Sequence, residues 1–193
     1  MSSEPRPELV LPAAVALTGH GIHLREWTDD DLPALVALFD DVEIARWTPL
    51  ASPYDAEAAR DHLAKARRIR GEHRGIQLAV TLDGVEPRGE VLLFVSTDGL
   101  DAPGQVELAY GIAAAHRGLG LATRSVRLMT EYAYHELGAT AVILHIPADN
   151  AASIGVARAT GFERTDTPPI VRDRRGTPIA LDMWLHRAVP PGA

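Results

Sequence analysis

One change of rhythm along this chain restricts the folds open to it. The stretch Val106–Ile112, entered through Pro103-Gly104, reads as a strand. From Leu121 the apolar residues Ala122, Val126, Met129, Ala133 and Leu137 fall four, three, four and four apart, which is one face of an α-helix. Gly118 and Gly120 lie between the two. Where a strand ends, a short loop follows and glycines open a helix, unpaired backbone N–H groups and the positive end of the helix dipole converge, and an anion can approach the backbone closely. The expectation is a phosphate-binding turn. A P-loop would need Gly-Lys-Ser/Thr at its end, and the only lysine in the chain is the distant Lys65. A dinucleotide fingerprint would need Gly or Ala at Thr123, a parallel strand, and an acidic residue about twenty positions on.

The flanking sequence supplies the other layers. Ile22–Trp27 alternates as a first strand. Thr28 with Asp31 three residues later reads as a capping box for a helix burying Leu32, Leu35, Val36 and Phe39. A second helix starts near Ser52-Pro53 or Asp55 and stops at Gly71. Ile76–Leu82, Glu90–Ser96 and Val106–Ile112 form an antiparallel meander. Ala139–Ile146 is an apolar run suited to a central strand, Asn150–Thr160 a short helix, and Ile179–His186 a last strand after a hairpin-like loop at Asp173–Gly176. Residues 1–20 carry three prolines and read as an extended arm or edge strand, leaving 21–188 as one domain and 189–193 as a tail.

Composition removes several function classes. With 193 residues, 46% apolar and 23% charged, the chain is expected to fold alone around one core. It has no cysteine, so disulfides, thiolate metal sites and a cysteine nucleophile are excluded, and its eight histidines include no His-Glu-x-x-His pair, so no metal is expected. Leu9–Leu17 is short, contains Pro12 and lacks a basic lead-in, so neither a signal peptide nor a membrane span is read and the cytoplasm is the expected compartment. A net charge of −7 argues against nucleic acid as a partner, and Arg67, Arg68, Arg70, His73 and Arg74 read as a solvated helix end complementing the dipole.

At Arg117, Gly120 and Ala122 the loop resembles the Gln/Arg-x-x-Gly-x-Gly/Ala signature of the GNAT superfamily of acetyltransferases. Asn150-Ala-Ala-Ser153 and Gly161-Phe162, with Leu24-Arg25 and Arg46-Trp47-Thr48-Pro49 upstream, are similar to its ribosomal-protein-alanine N-acetyltransferase-like branch. The resemblance implies an α/β (α+β) GNAT fold: a twisted mixed sheet, mostly antiparallel, flanked by helices and splayed between the Val106 and Ala139 strands to admit acetyl-CoA. It implies the pyrophosphate on backbone amides of Arg117, Gly118, Leu119, Gly120, Leu121 and Ala122 with the Thr123 hydroxyl, the pantetheine arm on Ile112 and Ala114, and Asn150 bonding that arm. An ordinary turn would equally explain Gly118 and Gly120, and a helix cap Asn150. Dimers are common in the branch.

Acetyl transfer to an amine needs a neutral nucleophile, a polarised carbonyl and a proton for the departing thiolate. Relatives that use a Tyr seven positions after the Asn have no counterpart here, because that position is Ala157. The resemblance therefore points to Ser153 as the acid and to Glu107 as the base, with the strand backbone near Ile112 as oxyanion donor. His145 and Asp149 are secondary bases, and a core histidine with its hydrogen bonds met would explain His145. Deprotonating a lysine side chain at pH 7 costs roughly 4–5 kcal/mol and an α-amine about 1, which tips the acceptor toward a protein N-terminus or a small amine. The missing tyrosine also leaves open a catalytically silent acyl-CoA-binding sensor or interaction module.

Overall fold

The structure, a computed structural model, describes residues 9–95 and 102–188. The first eight residues of the expected arm, the Ser96 end of the second meander strand and the tail 189–193 lie outside the described residues. Leu17–Gly19 (β1) pairs back on Ile22–Glu26 (β2), so the arm ends as an edge strand. The capping box forms: Thr28 donates from its backbone N (2.8 Å) and its hydroxyl (3.0 Å) to Asp31. Arg25 grips both oxygens of the same carboxylate at 2.7 and 2.9 Å, which is how a buried Asp31 is accommodated. After one 3₁₀ turn, Leu32–Phe39 (α1) buries Leu35, Leu38 and Phe39, with Leu32 and Val36 half-buried at the edge of that stripe.

Val42–Trp47 (α2) is a helix the sequence reading did not find, since six residues are too few for a period to show. Asp41 caps it by accepting from Ile44 N at 2.8 Å. Ala56–Gly71 (α3) starts on Asp55, whose carboxylate accepts from the amides of Glu57 and Ala58.

The sheet runs β1-β2-β3-β4-β5-β6-β9-β7, with β3 Gly75–Thr81, β4 Gly89–Phe94, β5 Gln105–Ile112, β6 Ala141–Ile146, β7 Glu163–Arg164 and β9 Thr177–Arg187. β8, Ile170–Arg174, turns onto β9 through Arg175-Gly176, both at positive φ (52° and 78°), the twist-matched hairpin geometry. Two further helices, Leu121–His135 (α4) and Ala151–Ala159 (α5), connect β5 to β6 and follow β6.

Among the described strands, β5 and β6 form the parallel pair, and their pairing is brief. It covers Gln105–Ala141, Val106–Val142 and Glu107–Ile143, after which β5 continues to Ile112 and β6 to Ile146 apart from each other. This is the expected splay. Strand alternation then sorts the side chains. Val106, Leu108, Val142 and Leu144 join the large core under α4, with Leu121, Val126 and Met129. The opposite face carries a smaller core of Trp27, Leu35, Phe39, Ile44, Tyr54, Leu63 and Ala79 under α1, α2 and α3. No described helix is long and apolar enough to cross a membrane.

Candidate active site

The loop from β5 to α4 lies at the open end of the splay. Gly118 and Gly120 have φ of 77° and 71°, the left-handed conformation that glycine adopts without strain, and a side chain at either would meet open space. Arg124 N is the first amide to return to the loop, to Gly120 O at 3.1 Å. No acceptor among the described residues takes up the amides from Gly118 to Thr123. Arg124 secures the loop from behind by donating to Leu119 O and Gly21 O, both at 3.1 Å, and Leu121 is anchored in the core. The outcome is a rigid row of donors at a helix N-terminus, suited to a pyrophosphate.

Arg117 is turned across the cleft from this row. Its Nε donates to Ile112 O at 3.1 Å and its Nη2 to Asp41 at 2.8 Å, tying α2 to the end of β5. Burial pushes the Asp41 carboxyl upward, but the Arg117 hydrogen bond, the Ile44 amide and the Arg117 charge outweigh it and hold the group below the usual carboxylate value. Ile112 is buried at the strand end, while Ala114 is exposed in a 3₁₀ turn. Ala122 and Thr123 are half-buried in the first turn of α4.

On the other branch of the splay, Asn150 is buried and its side-chain oxygen accepts from Ser153 N at 3.1 Å, capping α5. Ser153 is half-buried. The Tyr110 hydroxyl donates to Ser153 O at 3.4 Å, and burial pushes that phenol up to about 12, a shift its bond to Ser153 only partly offsets. A second hydroxyl therefore stands beside Ser153, where the sequence reading saw one; its signal was strand alternation, which turns Tyr110 toward α5.

Glu107 sits in the crotch of the splay, 4% exposed, on the face opposite Tyr110. Both its oxygens accept from Arg172 of β8, at 2.6 and 2.7 Å. His145 Nδ1 is 3.2 Å from Glu107 Oε1, out of hydrogen-bond alignment, and neither ring nitrogen has a hydrogen bond among the described residues. The expectation of a core histidine with its bonds met is thus overturned. Asp149 lies apart at the surface, 3.5 Å from Arg46. The β8–β9 hairpin arches toward α2, where Arg174 and Arg175 donate to the carbonyls of Arg46 and Ala45. One strand away from the cleft, Glu90 is buried between Trp27 Nε1 and His62 Nε2, each 2.9 Å from its Oε1. Burial and the Glu90 charge raise the nearby Tyr54 phenol.

The splayed parallel pair, the glycine-opened helix and the buried carboxylate together make a cleft with a row of backbone donors at one end and ionisable groups on one face. A family model described as the acetyltransferase (GNAT) domain matches residues 22–163. The chain belongs to the GNAT acetyltransferase family. This GNAT chain is 27% identical over 165 residues to the uncharacterized N-acetyltransferase YoaA of Bacillus subtilis (strain 168), covering 83% of this chain and 90% of that protein. Its fold is similar to that of Mycobacterium smegmatis RimJ, solved in complex with CoA-disulfide (TM-score 0.73, 18% identity, 94% of this chain and 86% of that one). It is also similar to AAC(6')-Ib in complex with ribostamycin and coenzyme A (TM-score 0.68, 21% identity, 86% and 93%). At these identities the structural likeness is one of fold.

Proposed function

We propose that this GNAT chain, with residues 21–188 as its working unit, is a cytoplasmic N-acetyltransferase. It moves the acetyl group of acetyl-CoA to a primary amine, either a protein N-terminal α-amine or a small amine, by direct attack in a ternary complex. The observation that carries this reading is the row of uncommitted amides from Gly118 to Thr123 at the mouth of a cleft where β5 and β6 separate. Fold neighbours solved with coenzyme A support acetyl-CoA as the donor.

In this reading the pyrophosphate lies on 117–122 and the Thr123 hydroxyl, and the pantetheine arm runs along Ile112 and Ala114 with Asn150 beside it. Arg117 must release Ile112 O for that strand-like pairing, which frees its charge for the phosphates. The backbone at Ile112 polarises the thioester carbonyl, Ser153 supplies the proton for the thiolate, and the amine gives up its proton in the Glu107 cluster.

The test is thiol release from acetyl-CoA against peptides with different N-terminal residues, polyamines and aminoglycosides, for wild type and Ser153→Ala. Turnover on one acceptor class, with kcat falling about 100-fold in the variant while the acetyl-CoA KM stays nearly constant, is the expected result. Tight CoA binding without turnover on any amine would instead favour an acyl-CoA sensor, the reading that Ala157 in place of a tyrosine keeps in play.

A further inference from the structure

His145 stands out among the ionisable side chains of this cleft. Its side chain is 1% exposed, yet among the described residues both ring nitrogens lack a hydrogen bond, whereas a histidine packed only for volume is ordinarily turned to satisfy at least one of them. The neighbouring Glu107 is differently placed. Each of its oxygens already accepts a charged N–H from Arg172, so taking up a proton would discard the negative charge that holds that bidentate pair. The imidazole lone pair has no such charged donor among the described residues.

We infer that His145 is the terminal acceptor of the proton released by the attacking amine, and that Glu107 and Arg172 are positioning residues that hold and neutralise its surroundings. The inference rests on the acetyltransferase reading and deepens it. The protonated amine passes one proton to the imidazole, directly or across a water. Its lone pair then forms the C–N bond to the thioester carbon. As the tetrahedral adduct collapses the C–S bond breaks, leaving its electron pair on sulfur; Ser153 protonates that thiolate, and the second nitrogen proton restores the Ser153 hydroxyl. The imidazolium, 3.2 Å from the Glu107 carboxylate, then returns its proton to solvent.

The division of labour is physically reasonable. A base whose proton affinity lies near that of its surroundings both takes and gives a proton readily, and imidazole meets that condition near neutrality. On the elements around the ring, Glu107 of β5 and Arg172 of β8 pair with each other and Asp182 of β9 is engaged by Arg164 at 2.9 and 3.1 Å; β8 also carries Asp173 and Arg174, and β9 His186 and Arg187. Asp149, beyond the end of β6, is paired with Arg46. Because Glu107 and Arg172 are of opposite charge, the pair holds the surroundings of the ring near neutral.

The experiment compares wild type, His145→Asn and His145→Gly in thiol release from acetyl-CoA, using the fastest amine of the panel above, across roughly pH 5–9. His145→Asn is expected to lose about 100-fold in kcat with the acetyl-CoA KM within about twofold, and to lack the acid-side fall in kcat that the relay requires of wild type. Added imidazole is expected to restore His145→Gly by at least about tenfold, an effect a purely structural role would not give. Unchanged kcat and pH profile in His145→Asn would overturn the inference while leaving the acetyltransferase reading standing. If wild type acetylates no amine, both fall together. Should both variants fail to fold by circular dichroism, wild type labelled with 15N-histidine decides. A His145 ring that titrates in step with turnover supports the relay, and one that does not titrate over that range refutes it.

Discussion

Gly120 and Gly138 bracket the two ends of α4 and provide a matched pair. Their φ angles are 71° and 70°, and in each case a side chain would meet nothing within 4 Å. Substituting alanine at either position therefore adds the same left-handed strain and no clash, about 1 kcal/mol. For a chain of this size that corresponds to a fall in Tm of roughly 2–4 °C. The two sites differ in what the added methyl faces. At Gly120 it projects from the row of free amides onto which the pyrophosphate is proposed to settle; at Gly138 it faces solvent at the far end of the helix. Gly120→Ala is accordingly expected to weaken CoA binding about tenfold or more, some 1.4 kcal/mol, beyond its effect on folding, while Gly138→Ala leaves affinity unchanged. Isothermal titration with CoA, alongside thermal unfolding of both variants, measures both quantities. Equal affinities for the two variants, with equal Tm shifts, would show that the loop amides do not hold the phosphates.

Two further outcomes concern stability. Burial alone would raise the Asp31 carboxyl, but hydrogen bonds from Arg25, from Thr28 N and from the Thr28 hydroxyl bring it below the ordinary carboxylate value. A depressed carboxylate stabilises the fold above its unfolded value of about 3.9 and stops doing so as pH falls through the folded one. Urea unfolding is therefore expected to weaken below about pH 4, and Asp31→Asn to be less stable at neutral pH with a shallower acid loss; an unchanged slope would refute the assignment. Glu90→Leu strands Trp27 Nε1 and His62 Nε2 in the interior and is expected to cost about 3 kcal/mol, roughly 6–12 °C in Tm, whereas Glu90→Gln, which keeps an acceptor oxygen, costs less. Equal melting of the two variants would mean those bonds contribute nothing.

The sequence carried the parts of this protein that local chemistry dictates. The Thr28–Asp31 cap, the apolar stripe of α4, the glycines at 118 and 120 and the turn before β9 each follow from preferences that act over a few residues, and all are where the pattern put them. The splay between β5 and β6 was legible only through family resemblance, since no local rule says where a parallel pair stops pairing. The short helix α2 escaped because six residues cannot display a period, although Asp41 three positions before Ile44 is a capping signal in retrospect.

What only the tertiary structure decided is the company each ionisable residue keeps. Glu107 and Arg172 are 65 positions apart and meet because β8 folds back onto β9 and over β5; Arg117 and Asp41, 76 apart, meet because α2 crosses the end of β5. His145 looks in sequence like any polar interruption of an apolar strand, and only the packed interior shows that none of the described residues satisfies its nitrogens. Capping, turns and amphipathic stripes are fixed by neighbours in the chain. Charge pairing and burial depend on neighbours in space, and in this fold those are brought together by strand order.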